Sequence, residues 1–488
     1  MIFDLPSRLR NRPQTLGYRD FGIWVIGLVL LIPVLYLLVH NGYSLLLGLM
    51  AVGAIVTVWQ VNRNLGLGVM FGFLLLLGDI RRIMDIVTGP RGLDPLLLAI
   101  PIFTVYLALP LLMRLTLPDT ISKAMFAWLV IMILGIFNPR QGPIAVGISG
   151  ALYWIIPTLW FWIGSKYGSP RLMFLILYRV FVPLGLLDAI LGLFQTYFGY
   201  LPWEAAWAAQ FPGQYILKSG QLRPFGFSTS GVEYQLVLLI ATVLVIAAVF
   251  AGRRSYGLLL PILVPAVFLS SSRGLIVRTV FAAAMLWAVR GKRGRNWLPR
   301  LAFALSLGIG LMMYSALTAA PEQSLTTLSK KGSSAQLASA HVTQGLAHPL
   351  DSKYSTGGIH AAMVWVGIVR GFTYPIGTGV GAVTLGAGKF GGDAAISGST
   401  EVDISDAFVT MGFVGGLLYI FIIYSGFGQA LRYVREGPPL LSLAVMGLLT
   451  AMLGAWVPPA YAMGPLIWLS IGYVSIPKKV AELSTAAS

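Results

Sequence analysis

The sequence contains no cysteine and only 4 histidines. The first absence excludes disulfides, iron–sulfur clusters, zinc–thiolate sites and cysteine nucleophiles. Charge is also scarce: Asp, Glu, Lys and Arg make up 10% of the 488 residues, where a soluble protein carries roughly 25%. So little polar surface excludes a string of soluble domains. Two motifs are missing as well. No Gly-rich nucleotide loop stands in the segments expected on the cytoplasmic side, and no internal repeat suggests the inverted halves of many transporters. The first residues carry Arg8, Arg10, Arg12 and Arg19 but no apolar core followed by a small-residue cleavage site, so a cleaved signal peptide is not expected.

Hydrophobic residues are abundant, at 57%, and mean hydropathy is +0.80. A spanning helix needs about 20 largely apolar residues. Apolar runs near 20–39, 44–60, 65–80, 95–113, 122–137, 143–164, 172–197, 229–251, 256–269, 275–290, 301–320, 406–428, 439–456 and 460–476 fit that length or approach it. The run at 65–80 also suits a re-entrant segment. The expected fold is all-α: a polytopic integral membrane protein of about 12–14 transmembrane helices with one large outer-face loop domain. The expected divisions are a cytoplasmic N-terminus (1–19), a helix bundle (20–320), a large outer loop with short helices (321–405), C-terminal transmembrane helices (406–476) and a cytoplasmic tail (477–488).

The formal charge is +17, from 34 Lys and Arg against 17 Asp and Glu. In a membrane protein this reflects cytoplasmic anchoring before any nucleic-acid partner, and none is expected. Counting spans from a cytoplasmic start puts Arg63, the 114–123 loop, Lys166, Arg171, Arg253, Arg254, the 292–300 cluster, Arg432, Arg435, Lys478 and Lys479 inside. Arg81, Arg82, Arg91, Arg140, Arg223, Arg273 and Arg370 break the trend.

Few polar residues remain as candidates for chemistry. Ser270-Ser271-Ser272-Arg273-Gly274 is either a tight outer turn with a snorkelling arginine or an anion site of hydroxyls, helix-start N–H groups and a guanidinium. Arg223 opens Arg223-Pro224-Phe225-Gly226 before a span whose caps are Ser228, Thr229 or Ser230, with Glu233 in its first turn. Trp203 and Trp207 precede it and suit an interfacial belt. Asp393, Glu401, Asp403 and Asp406 cluster before the span at 406–428. Asp406 reads as its cap or first-turn acid, whereas Glu401 and Asp403 stand too far ahead for capping and are candidate general bases. His360 opens an amphipathic helix expected over about 356–372, which also holds Trp365 and Arg370. The small-residue stretch 323–345 reads as mobile; His341 and His348 lie in the mobile part of the loop with no paired ligand at helical spacing, and His40 at a span end reads as interfacial. Asp79 and Asp188 lie near span ends or stand alone. No convincing metal set emerges, and neither metal nor cofactor is expected.

Taken in order, Arg223-Pro-x-Gly226 opening a span, Ser271-Ser272-Arg273-Gly274 after an apolar run, a large loop, the Gly-rich turn Pro375-x-Gly377-x-Gly379, and acids leading into Gly412-Phe-Val-Gly415 resemble the O-antigen polymerase and O-antigen ligase superfamily. The resemblance covers about residues 220–430. It implies a metal-independent, inverting glycosyltransferase that uses undecaprenyl-pyrophosphate-linked oligosaccharides as donor and acceptor. The active site would face the periplasm from a bacterial inner membrane, with a chain-length regulator and a flippase among its partners. By matching motif, Arg273 and Arg223 would bind the pyrophosphate, with Arg370 as a third. Glu401, Asp403 or His360 would be the base. Ligases of this superfamily carry His-Asn where this sequence has Glu401-Val402, and Glu-x-Asp is closer to the polymerases. A ligase acting on lipid A–core or protein, and a flippase of lipid-linked sugars, remain the alternative readings.

Overall fold

The computed structural model describes residues 44–88, 96–210, 222–290, 297–304 with 306, 333–347, 357–391, 399–457 and 463–475. The expected span 20–39, most of that at 301–320, both termini, and His40, Arg91, His348 and Asp393 lie outside these residues. The described chain is helical and contains no strand. Its helices are α1 (Ser44–Val61), α2 (Arg63–Thr88), α3 (Leu96–Leu112), α4 (Thr120–Gly135), α5 (Ile144–Tyr167), α6 (Pro170–Phe198), α7 (Pro202–Gln210) and α8 (Gly231–Phe250). Beyond these come α9 (Arg254–Leu269), α10 (Arg273–Val289), α11 (Ser334–Ala347), α12 (Gly357–Thr373), α13 (Leu385–Phe390), α14 (Asp403–Glu436), α15 (Pro439–Ala451) and α16 (Met463–Val474).

Four of them, α5, α6, α8 and α14, are long and apolar enough to cross a membrane. Other expected spans, including α1 over Leu46–Val61, α3, α4, α9, α15 and α16, are apolar helical stretches of 10–17 residues. The run at 65–80 belongs to one 26-residue helix, α2, rather than to a re-entrant segment. The helix continues through its charged end because Arg82 pairs with Asp79 one turn earlier, at 3.1 Å.

Helix starts follow side-chain chemistry. Asp119, Ser169, Ser230 and Ser272 each accept a hydrogen bond from a first-turn N–H, starting α4, α6, α8 and α10. The core is aromatic at its centre: Trp128 of α4 stacks on Tyr419 of α14 with 4.8 Å between ring centroids, and Trp468 of α16 lies 5.7 Å from the same indole. α5 and α16 pack with their backbones nearly touching, since a Cβ on Gly472 would lie 2.0 Å from the Phe161 carbonyl oxygen.

The 321–405 connection does not form a separate loop domain among the described residues. α11 packs on α6, α9 and α10, and α12 runs along α14. Gly367 and Gly371 let α12 lie close, because Cβ atoms there would meet Thr400 and Phe408 at 2.7 Å. The expected mobility of 323–345 is corrected over its last part, which begins α11. Ser333 and Gln336 form a reciprocal capping box, with Ser333 N donating to Gln336 Oε1 at 2.8 Å and Gln336 N donating to Ser333 Oγ at 3.3 Å.

Candidate functional site

Residues 222–230, which carry Arg223, run between α2, α6 and α8 and are held by buried polar groups. Arg82 is 1% exposed. Its guanidinium donates to the carbonyls of Ser228 and Gly226, both at 2.6 Å, and lies 4.5 Å from the Phe225 ring centroid. Gln195 Oε1 accepts from Phe225 N and Gly226 N at 2.9 and 3.0 Å. Asp188 Oδ1 accepts from Phe227 N at 2.7 Å, and the Tyr200 hydroxyl donates to the Arg223 carbonyl at 2.9 Å. Gly226 has φ +50°, and a Cβ there would lie 1.9 Å from Asp188 Oδ1, so only glycine fits this turn. Arg82, with its ion-pair partner Asp79, and Asp188 thus hold the segment.

Two glycines lay down two arginines. The Arg223 side chain crosses Gly231, where a Cβ would lie 2.9 Å from Arg223 Cδ. Its Nε is buried with no hydrogen-bond partner among the described residues, and loss of hydration lowers the guanidinium pKa. Arg273 is the first residue of α10 and crosses Gly345 of α11, where a Cβ would lie 1.7 Å from Arg273 Nη1.

Arg223 and Arg273 line one cavity of about 710 Å³ together with Arg278, His341, His360 and Glu401. One wall is apolar. Val232, Leu236 and Leu239 form a stripe at helical spacing on α8, joined by Leu275 and Val277 of α10. Facing the arginines, His360 Nδ1 of α12 lies 3.2 Å from Glu401 Oε2, with the side chains 43% and 62% exposed. Ser271 and Glu401 both line the cavity, and both have φ +63°; they are the non-glycine residues with positive φ among those described. Such a conformation costs on the order of 1–3 kcal/mol and collects at functional sites.

Four of the six residues read from the sequence therefore meet at one cavity: Arg223, Arg273, His360 and Glu401. Asp403 does not join them. It is 4% exposed, and its Oδ2 accepts from the Tyr419 hydroxyl at 2.6 Å, from Val457 N at 3.2 Å and from Trp456 N. It ties the start of α14 to the segment before α16. Arg370 lies outside the cavity lining, ten residues after His360 on α12 and so about 15 Å further along its axis. Asp406 is a first-turn acid of α14, which begins at Asp403, rather than its cap. Its carboxylate accepts from Thr400 N, Thr400 Oγ1 and Ser399 Oγ at 2.7–2.9 Å, fixing the turn that presents Glu401.

Two lining residues escaped the sequence reading. Arg278 was counted inside an apolar run, although an arginine within a span is itself a signal. His341 was assigned to mobile chain, although the Ser333/Gln336 capping box announces its helix. Burial, then the Arg273 and Arg223 charges, holds the His341 imidazole below its usual pKa. Among the described residues no three His, Asp or Glu side chains converge on a metal position.

Two other anomalous arginines lie over aromatic rings. Arg81 lies 5.6 Å from the Trp207 ring centroid and Arg140 lies 4.7 Å from that of Tyr374. The Gly-rich turn is structural. Gly377 and Gly379 have φ +77° and +103°, and Gly379 N donates to the Thr410 carbonyl at 3.0 Å beside the Gly412 kink of α14. No protein-family model matches the chain, and no curated protein matches it.

Proposed function

We propose that the chain is a membrane-embedded polysaccharide polymerase. It transfers a glycan from an undecaprenyl-pyrophosphate-linked donor to a lipid-linked repeat unit, at the periplasmic face of a bacterial inner membrane. The observation that carries this reading is the cavity lining: three guanidiniums, two imidazoles and one carboxylate beside an apolar wall. Such a lining suits an anionic headgroup on a lipid.

In the reaction, the acceptor hydroxyl oxygen attacks the anomeric carbon of the donor sugar in line with the bond to the diphosphate. That C–O bond breaks, its electron pair stays on the diphosphate, and the anomeric configuration inverts. Arg223, Arg273 and Arg278 face the negative charge as it grows. His360 accepts the hydroxyl proton. Its Nδ1 lies 3.2 Å from Glu401 Oε2; the tautomer with the proton on Nδ1 leaves Nε2 as the accepting nitrogen, and the carboxylate stabilises the imidazolium that forms.

His360→Ala is expected to lower the polymerisation rate by about 10²–10⁴. Glu401→Gln lowers it less, because the imidazole remains and only its orientation and charge partner are lost. Rates in membranes at matched protein level check both. Deleting the gene leaves lipid-linked single repeats and no polymer. Unchanged chain length sinks the reading, and long polymer accumulating on the lipid carrier identifies a ligase instead.

A further inference from the structure

His341 shares the cavity with two arginines, and α11 is anchored beside both. It stands four residues before Gly345, so both lie on one face of that helix. Gly345 is the position crossed by the Arg273 side chain. At its other end, α11 is tied to the chain next to Arg223, where Leu222 N donates to Ser334 Oγ at 3.0 Å. His341 lines the cavity with both guanidiniums, and its ring makes no hydrogen bond among the described residues.

We infer that His341 is a further anion ligand of this cavity, beside its arginines, and takes up a proton from solvent as a diphosphate-bearing ligand binds. The inference rests on the reading of the cavity as a site for a diphosphate-linked substrate. Among the described residues, the charged groups that line the cavity with His341 are Arg273 and Arg278 from α10, Arg223 from residues 222–230 and the His360–Glu401 pair. The 260–269 part of α9 brings no charge, and Asp188 of α6 is turned to Phe227 N. In the free cavity an imidazolium would be a further cation beside two arginines, and burial adds to the penalty. A diphosphate diester brings two negative charges that reverse the balance. The protonated ring then gives the ligand a charge-assisted N–H donor, and the charge growing on the departing diphosphate meets that donor as well as the arginines.

The sign follows from linkage. The ring is neutral when free and charged when liganded, so affinity is highest at low pH. It falls as pH rises, approaching about tenfold per pH unit between the titrations of the free and liganded ring.

The test uses the full-length protein in detergent and a dialkyl diphosphate diester, whose charges do not titrate between pH 5 and 8. Calorimetric titrations in buffers of different ionisation enthalpy count the protons taken up on binding. Wild type is expected to take up close to one proton near neutral pH. His341→Gln still binds, more weakly, but without uptake and with a flat pH profile, whereas His360→Gln keeps the uptake. Binding by wild type without proton uptake overturns the inference and leaves the anion site standing. So does uptake that survives in His341→Gln or disappears in His360→Gln. Wild-type binding equal to that of Arg273→Ala overturns the anion site itself, and the inference with it. The wild-type buffer comparison needs no variant, so a misfolded His341→Gln cannot decide the result.

Discussion

Arg273→Ala is expected to abolish polymer while leaving the protein in the membrane. The side chain is half-buried, lies over a glycine and lines the cavity, so its removal opens space without stranding a core. Losing one donor aimed at developing charge costs about 10²–10³ in rate. The conservative Arg273→Lys keeps the charge but loses the planar fork, and falls between the two. Gly345→Val tests the same contact from the other side. Its Cβ would coincide with the resting place of the guanidinium, so the arginine must leave. Activity should then drop with the arginine still present. Polymer from cells carrying each variant, normalised to protein level, is the measurement. Full-length polymer from Arg273→Ala removes the cavity from the mechanism.

The second large effect is structural. Arg82→Met is expected to lower stability by about 3–5 kcal/mol, the cost of breaking a buried charge network by removing one partner. The change leaves the Gly226 and Ser228 carbonyls without their donor and Asp79 without its ion pair. Residues 222–230 would lose the group that reaches both carbonyls at once, and Arg223 would lose its register over Gly231. Thermal unfolding in detergent should show a clearly lowered Tm together with loss of activity. Arg140→Ala is the contrast, since its cation–π contact with Tyr374 contributes about 0.5–1 kcal/mol. Equal Tm values for the two variants would show that the buried network does not organise the loop.

Much of the bundle was legible because continuous apolar runs have few alternatives to helices, and serine caps mark several starts. The boundaries of α2 and α14 were not. Each helix runs into charged residues that find partners inside the fold: Arg82 with Asp79, and Asp403 with Tyr419 and backbone N–H groups. Part of the site was legible for a related reason. In so apolar a chain, Arg223, Arg273, His360 and Glu401 had little else to do. Glu401 and Asp403 looked equivalent in sequence, two residues apart. They separate in space because Glu401 sits in the left-handed region, on a turn held by Asp406, while Asp403 begins the helix and turns into the core. The close approach of α12 to α14 depends on Gly367 and Gly371, so this described part of the expected large loop with short helices lies on the bundle.

The central claim is that the cavity performs glycosyl transfer on a lipid diphosphate. It is tested most directly with purified protein in liposomes, supplied only with diphosphate-linked repeat units and no nucleotide sugar. Products longer than one repeat are expected, with free lipid diphosphate released at each step, and none from Arg273→Ala. Movement of the lipid-linked sugar between leaflets with no longer product would contradict it.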